Sequence, residues 1–168
     1  VLEQRIAALD QGVACTATSS GMAALHLALS VLVSAGDHIV YSSQLYGAAI
    51  NLIDQTFARF GISSTAFNPK DLSGLEAAIQ PNTKCVLAEL ISNPGLDIFD
   101  ISQAAAITKA HQVPLIVDGT FTTPYLCQPL KHGANIVTHS LTKWMGGHGT
   151  TIAGAVVDGG NFAWDAKR

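Results

Sequence analysis

Lys143 stands almost alone. In the run His139-Ser140-Leu141-Thr142-Lys143-Trp144-Met145-Gly146-Gly147 its neighbours are apolar or small, and between Asp118 and Asp158 the one other Lys, Arg, Asp or Glu is Lys131. Such an amine either snorkels to water past Trp144 or is held in a pocket because an amine is needed there. Other chemically able residues recur along the chain, each soon after an apolar run. They are Ser19-Ser20-Gly21-Met22, then Tyr46-Gly47, then Glu89 with Ser92-Asn93-Pro94, then Asp118-Gly119-Thr120, and finally Ser140 and Thr142 beside Lys143.

Taken singly, each has a plain reading and a chemical one. Ser20, Gly21 and Met22 open a helix, where free N–H groups and the helix dipole hold a phosphate, yet a serine there also simply caps the helix. Asp118 ends a very apolar strand, where a carboxylate needs a partner such as a protonated ring nitrogen, or else it caps the turn into Thr120. Tyr46 stacks on a planar ligand or packs in the core. Asn93 is a turn residue by default. Ser140 and Thr142 offer hydroxyls to the phosphate held at Gly21. A phosphate, an aromatic ring nitrogen and a lysine amine together describe pyridoxal phosphate (PLP), whose aldehyde bonds lysine and whose ring accepts electrons. An apolar setting for Lys143 favours the free amine that attacks the aldehyde.

Residues so far apart meet only if the elements between them bring them together. Apolar periodicity predicts helices over 2–9, 19–34, 46–60, 71–79 and 102–111, and a short turn or helix over 129–133. Asp71 is the expected N-cap of the fourth. Strands are predicted over 13–18, 38–41, 62–67, 85–90, 114–118, 135–139 and 152–157. Continuous apolar runs such as Cys85–Leu90, broken only by Glu89, suit a parallel sheet buried on both faces. The spacing allows right-handed crossovers, except before the last strand, which is expected to be antiparallel. The fold class is α/β: three layers around a mostly parallel, seven-stranded sheet, with ligands bound beyond the carboxyl ends of its strands.

The 168 residues are 48% hydrophobic and 12% charged, with a net charge of −3. That suffices for one domain with a sizeable core. The absence of a basic run argues against nucleic acid, and no apolar run approaches the ~18 residues of a membrane span. Cys15, Cys85 and Cys127 lack metal-like spacing and read as small core residues in a reducing, cytoplasmic compartment. His132, His139 and His148 show no metal spacing either. The chain starts without a cap or initiator Met and ends at Asp165-Ala166-Lys167-Arg168 without a closing element. It reads as an internal piece of a longer protein.

The stretches LEQRIAALDQG, SSGMAAL, SNPGLDIFDI and the run from Val113 to Thr151 resemble the Cys/Met-metabolism PLP-dependent enzymes, of the aspartate-aminotransferase-like fold. Ser-x-Thr-Lys followed by two glycines, after an apolar strand, carries most of the likeness. The resemblance implies that residues 1–168 form the PLP-binding large domain, with an N-terminal segment and a C-terminal domain missing. It implies Lys143 as the Schiff-base lysine, Asp118 as the pyridinium partner and Tyr46 as the ring-stacking residue. Ser20, Gly21, Met22, Ser140 and Thr142 would hold the phosphate, Asn93 would lie near the ring hydroxyl and Thr120 beside the ring.

Gly146-Gly147-His148-Gly149-Thr150-Thr151 resembles the O-acetylhomoserine (or O-acetylserine) sulfhydrylases of that family. The implied reaction replaces acetate on Cγ of O-acetyl-L-homoserine by sulfide, giving homocysteine, with Lys143 carrying the protons. The partners so implied are an amino-acid substrate, sulfide or a thiol, and further copies of the chain in a homotetramer built from dimers. Gly119, Ala48-Ala49 and Met22 depart from the commoner sulfhydrylase pattern, and a cystathionine or methionine γ-lyase or γ-synthase of the same family is the alternative. Rival readings of other classes are an inactive PLP-binding piece of such an enzyme, an acyl-serine hydrolase built on Ser140-x-x-Lys143, and a nucleotide loop at 146–149. The hydrolase lacks its Ser-Asp-Asn and Lys-Thr-Gly partners. The loop lacks Gly-Lys-Ser/Thr and a Gly-x-Gly-x-x-Gly context.

Overall fold

The computed structural model describes residues 1–164; the expectation about the chain end at 165–168 lies outside them. The elements run α1 (Leu2–Asp10), β1 (Ala14–Thr18), α2 (Gly21–Ser30), β2 (His38–Ser42), α3 (Gly47–Asn51), β3 (Ser63–Phe67), α4 (Leu72–Ala78), β4 (Thr83–Glu89), α5 (Ile101–Ala110), β5 (Leu115–Asp118), α6 (Thr123–Leu126), β6 (Ile136–Ser140) and β7 (Gly154–Asp158). One sheet holds all seven strands in the order β1-β7-β6-β5-β4-β2-β3. β2 to β6 run parallel, and β7 is antiparallel to both of its neighbours, as expected.

Alternation along each strand sorts the core into two layers. Ile39, Tyr41, Cys85, Leu87, Ile116 and Ile136 face α2 and α3. Val40, Val86, Ala88, Leu115 and Val117 face α4 and α5. Val137, Ala155 and Val157 face α1 through Ile6. Leu25 and Leu29 on α2 are buried against the first layer, each stabilising the fold by about 2 kcal/mol. The same parity puts Glu89, Asp118, Thr138 and Ser140 on the α2 face, because each lies an even number of residues from Leu87, Ile116 or Ile136.

Two helix expectations are corrected, and one helix was not expected. The second helix stops at Ser30, not Ser34, because Ser34 N–H donates to Asp37 Oδ2 at 2.8 Å and the chain turns into β2. The helix expected over 46–60 is three pieces: α3, a π turn over Leu52–Thr56 and a 3-10 turn over Phe57–Phe60. The wide turn coincides with Asp54, which accepts the Tyr41 hydroxyl at 2.7 Å and the Ser64 hydroxyl at 2.8 Å. It keeps Ile53 and Phe57 buried on the same side. A short α6, opened by Pro124 in its first turn, occupies a stretch with no predicted element. Asp71 is the N-cap of α4 as expected, accepting Ser73 N–H at 3.1 Å.

Candidate active site

The carboxyl ends of the parallel strands open onto a cavity of about 420 Å³. Its walls contain all ten residues singled out in the sequence: Ser20, Gly21, Met22, Tyr46, Asn93, Asp118, Thr120, Ser140, Thr142 and Lys143. A larger groove, about 1300 Å³, lies at the opposite, amino-terminal edge of the sheet, among residues such as Pro81, Pro114 and Asn135, and contains none of them.

Asp118 is the best-anchored group. Thr120 N–H donates to its Oδ1 at 2.9 Å, and the Thr138 hydroxyl, one strand over, donates to its Oδ2 at 3.0 Å. The bond from Thr120 caps the turn, as one reading of Asp118 expected, and Asp118 also lines the cavity. Thr120 Oγ1 in turn accepts Ser140 N–H at 2.8 Å, tying the loop after β5 to the end of β6.

The opening turn of α2 forms the second wall. Ser20 Oγ accepts Ala23 N–H at 3.0 Å, so Ser20 is an N-cap, and Ala24 N–H returns to Ser20 O. In a helix the N–H groups of the first positions, here Gly21 and Met22, have no intrahelical partner and suit an anion. The wall is close-fitting. A Cβ at Gly21 would lie 2.5 Å from Ser140 Cβ, and one at Gly154 would collide with Ser20 O, so both glycines are needed to lay α2 against β6 and β7. This bare backbone at a helix N-terminus, opposite a fixed carboxylate and an amine, matches a group with a phosphate, a basic ring nitrogen and an aldehyde.

Other residues are placed less simply. Thr142 lines the cavity, but its hydroxyl is 3.1 Å from Ala153 O and also accepts Ala153 N–H at 3.0 Å, so its proton serves the loop before β7. Lys143, expected to be enclosed, is exposed at the rim in the turn after β6, and Trp144 beside it is 68% exposed and does not cover it. Tyr46 is 51% exposed and lines the cavity.

Glu89 was legible as the charge that breaks the apolar run Cys85–Leu90, yet it belongs to the site as much as any of the ten. It lines the cavity, accepts Tyr46 N–H at 2.6 Å and is the register partner of Asp118. Burial pushes its carboxyl up to about 7, against the Tyr46 N–H that draws it down, while the charge of Asp118 adds to the rise. Phe121 also lines the cavity and went unmarked, since an aromatic residue in a turn gives no signal of its own. Gly119, a departure from the resembled pattern, has a local cause: a Cβ there would lie 2.8 Å from Cε1 of buried His139.

Comparison with known proteins fits this geometry. The chain is 51% identical over 165 residues to homocysteine synthase of Schizosaccharomyces pombe, covering 98% of this chain and 38% of that protein. It is 48% identical to O-acetyl-L-homoserine sulfhydrylase of Leptospira meyeri, covering 98% of this chain and 37% of that protein. Among solved structures, a Campylobacter jejuni protein described as an O-acetylhomoserine (thiol)-lyase, with a pyridoxyl-lysine monophosphate, superposes with a TM-score of 0.92 at 41% identity, over 94% of this chain and 39% of that one. Cystathionine γ-lyase of Lactobacillus plantarum gives 0.91 at 42% identity, over 94% and 41%. The chain thus spans about two fifths of the length of these relatives. The description "Cys/Met metabolism PLP-dependent enzyme" matches residues 1–168, and with that match the chain belongs to this family.

Proposed function

We propose that the protein carrying this chain is a PLP-dependent sulfhydrylase, which replaces the acetoxy group on Cγ of O-acetyl-L-homoserine with sulfide to form homocysteine and acetate. The carrying observation is the convergence of Lys143, Asp118, Tyr46 and the α2 N-terminus on one cavity at the carboxyl edge of the sheet. When bound there, PLP supplies an aldehyde for amines and a ring that takes up the electrons released at Cα. The α2 N–H groups of Gly21 and Met22, with Ser140, hold the phosphate. Asp118, fixed by Thr120 and Thr138, keeps a proton on the ring nitrogen. Tyr46 covers the ring face, Asn93 and Thr120 border the ring, and Lys143 Nζ takes and returns the substrate protons. Thr142 joins the phosphate contacts once its hydroxyl leaves Ala153.

Residues 1–168 are, on this reading, the cofactor-binding large domain. Phe121 at the cavity, Tyr125 and Leu126 soon after it, and Trp144 next to Lys143 are exposed apolar side chains that support burial against a second copy, in a tetramer built from dimers. Among the described residues no helix is long and apolar enough to cross a membrane, and we place the protein in the cytoplasm. The test is an assay of the intact protein with O-acetyl-L-homoserine plus sulfide, alongside cystathionine alone. Homocysteine from the first is the expected result. Turnover confined to cystathionine would make it a γ-lyase, the family alternative to which the Lactobacillus structure is similar.

A further inference from the structure

Glu89 has a place in the site that neither cofactor contact nor substrate binding explains. It ends β4, which lies between β2 and β5, and has contacts on both sides. On the β2 side, it accepts Tyr46 N–H at 2.6 Å. Tyr46 precedes α3 with no side-chain cap, so this carboxylate fixes the backbone from which the ring hangs. Asn93 N–H reaches the same carboxylate from the loop after β4. On the β5 side, Glu89 and Asp118 are direct register partners on one sheet face. Cα atoms of neighbouring strands lie about 4.8 Å apart, so two carboxylates share one end of the cavity.

We propose that Glu89 is a positioning residue for the cofactor seat: its carboxylate clamps the Tyr46 backbone over the cavity, and its negative charge, beside Asp118, strengthens the hold on a cationic ring nitrogen. This inference rests on the cofactor reading given above. The charged and titratable groups around Glu89 are Asp118 from β5, the Tyr46 phenol from the β2–α3 junction and Lys143 from the turn after β6. Asp97 in the loop after β4 is paired with Lys70 at 2.9 Å. Two like charges side by side cost free energy in the empty site, and a cation bound between them relieves that cost. Burial holds the Glu89 carboxyl up to about 7, so its charge grows as pH rises through that range. Its help to cofactor binding therefore grows as pH rises through that range.

The two roles separate by substitution. Glu89→Gln keeps an oxygen for the Tyr46 N–H and removes the charge. Glu89→Asp keeps the charge and falls short of the Tyr46 N–H. PLP affinity of the intact protein is measured by the visible band of the lysine-bound cofactor, with circular dichroism confirming the fold. Between about pH 6 and about pH 8.5 the ratio of wild-type to Glu89→Gln affinity is expected to rise about tenfold, the effect of one pKa unit of charge coupling. Glu89→Asp is expected to bind more weakly at every pH while retaining the wild-type trend. A ratio for Glu89→Gln that stays flat, in a wild-type protein that shows the band, overturns the role of Glu89 and leaves the cofactor reading intact. Absence of the band from folded wild-type protein overturns both.

Discussion

Thr138 donates its hydroxyl to Asp118 Oδ2 at 3.0 Å across the seam between β6 and β5, and the two residues are register partners in that ladder. With Thr120 N–H on the other oxygen, the carboxylate is held from a strand and from a turn before any ligand arrives. On the proposed reading, Asp118 then needs no reorientation to meet a ring nitrogen, which is the sense in which the site would be preorganised.

Thr138→Val keeps the shape of the side chain and removes the donor. A hydrogen bond to a charged group contributes about 1.5–3 kcal/mol, so cofactor affinity is expected to fall by about tenfold or more. Equilibrium titration with PLP checks this. Affinity equal to wild type would show that Asp118 is held adequately by Thr120 alone.

Gly21→Ala drives a methyl against Ser140, whose Cβ and Oγ would lie 2.5 and 2.9 Å away. Overpacking of this kind costs about 1–3 kcal/mol. Urea denaturation is expected to register that loss, with partial recovery in Gly21→Ala combined with Ser140→Gly. A stable single variant would contradict the close seating of α2 on β6.

Asp10, at the end of α1, and His139 on β6 are both fully buried, with Oδ2 and Nε2 2.8 Å apart. Removing one partner of such a pair leaves the other unpaired, at a cost of about 3–5 kcal/mol. Asp10→Ala should show that loss in chemical denaturation, and a change below about 1 kcal/mol would exclude a stabilising role.

Two groups give opposite pH slopes. Burial lowers the pKa of His38, which sits between Thr83 Oγ1 at 2.8 Å and Thr65 Oγ1 at 2.9 Å. The unfolded chain then binds a proton that the folded one resists, so the stability from neutral His38 is lost as pH falls below about 6.5. Glu89, raised from 4.5 to about 7, binds a proton more readily when folded, and its contribution is lost as pH rises through that interval. Denaturation of the cofactor-free protein across pH should lose the acid-side slope in His38→Gln and the opposite slope in Glu89→Gln. Slopes that survive these changes would assign them to other groups.

The inner strands β2, β4 and β5 were legible because they are short, largely apolar runs bounded by turn residues. The antiparallel β7 followed from the short link before it. The site was legible because strand after strand ends in a chemically able residue. What escaped needed contacts distant in sequence. The break in the helix after Tyr46 coincides with Asp54 bonding to Tyr41 and Ser64, which no local periodicity shows. Thr138 was hidden inside a strand, and its role appears only when β6 lies beside β5. Glu89 was visible as a lone charge, but its bond to Tyr46 spans 43 residues of chain. Lys143 was expected behind walls and lies exposed at the rim, because apolar neighbours in sequence, such as Trp144, point out into solvent instead of covering it.

The most direct test of the account is to load the intact protein with PLP, reduce it with borohydride and map the labelled peptide. The pyridoxyl group is expected on Lys143, and no label is expected in Lys143→Ala. A label on Lys131 or any other lysine, or a folded protein that takes up no label, would contradict it.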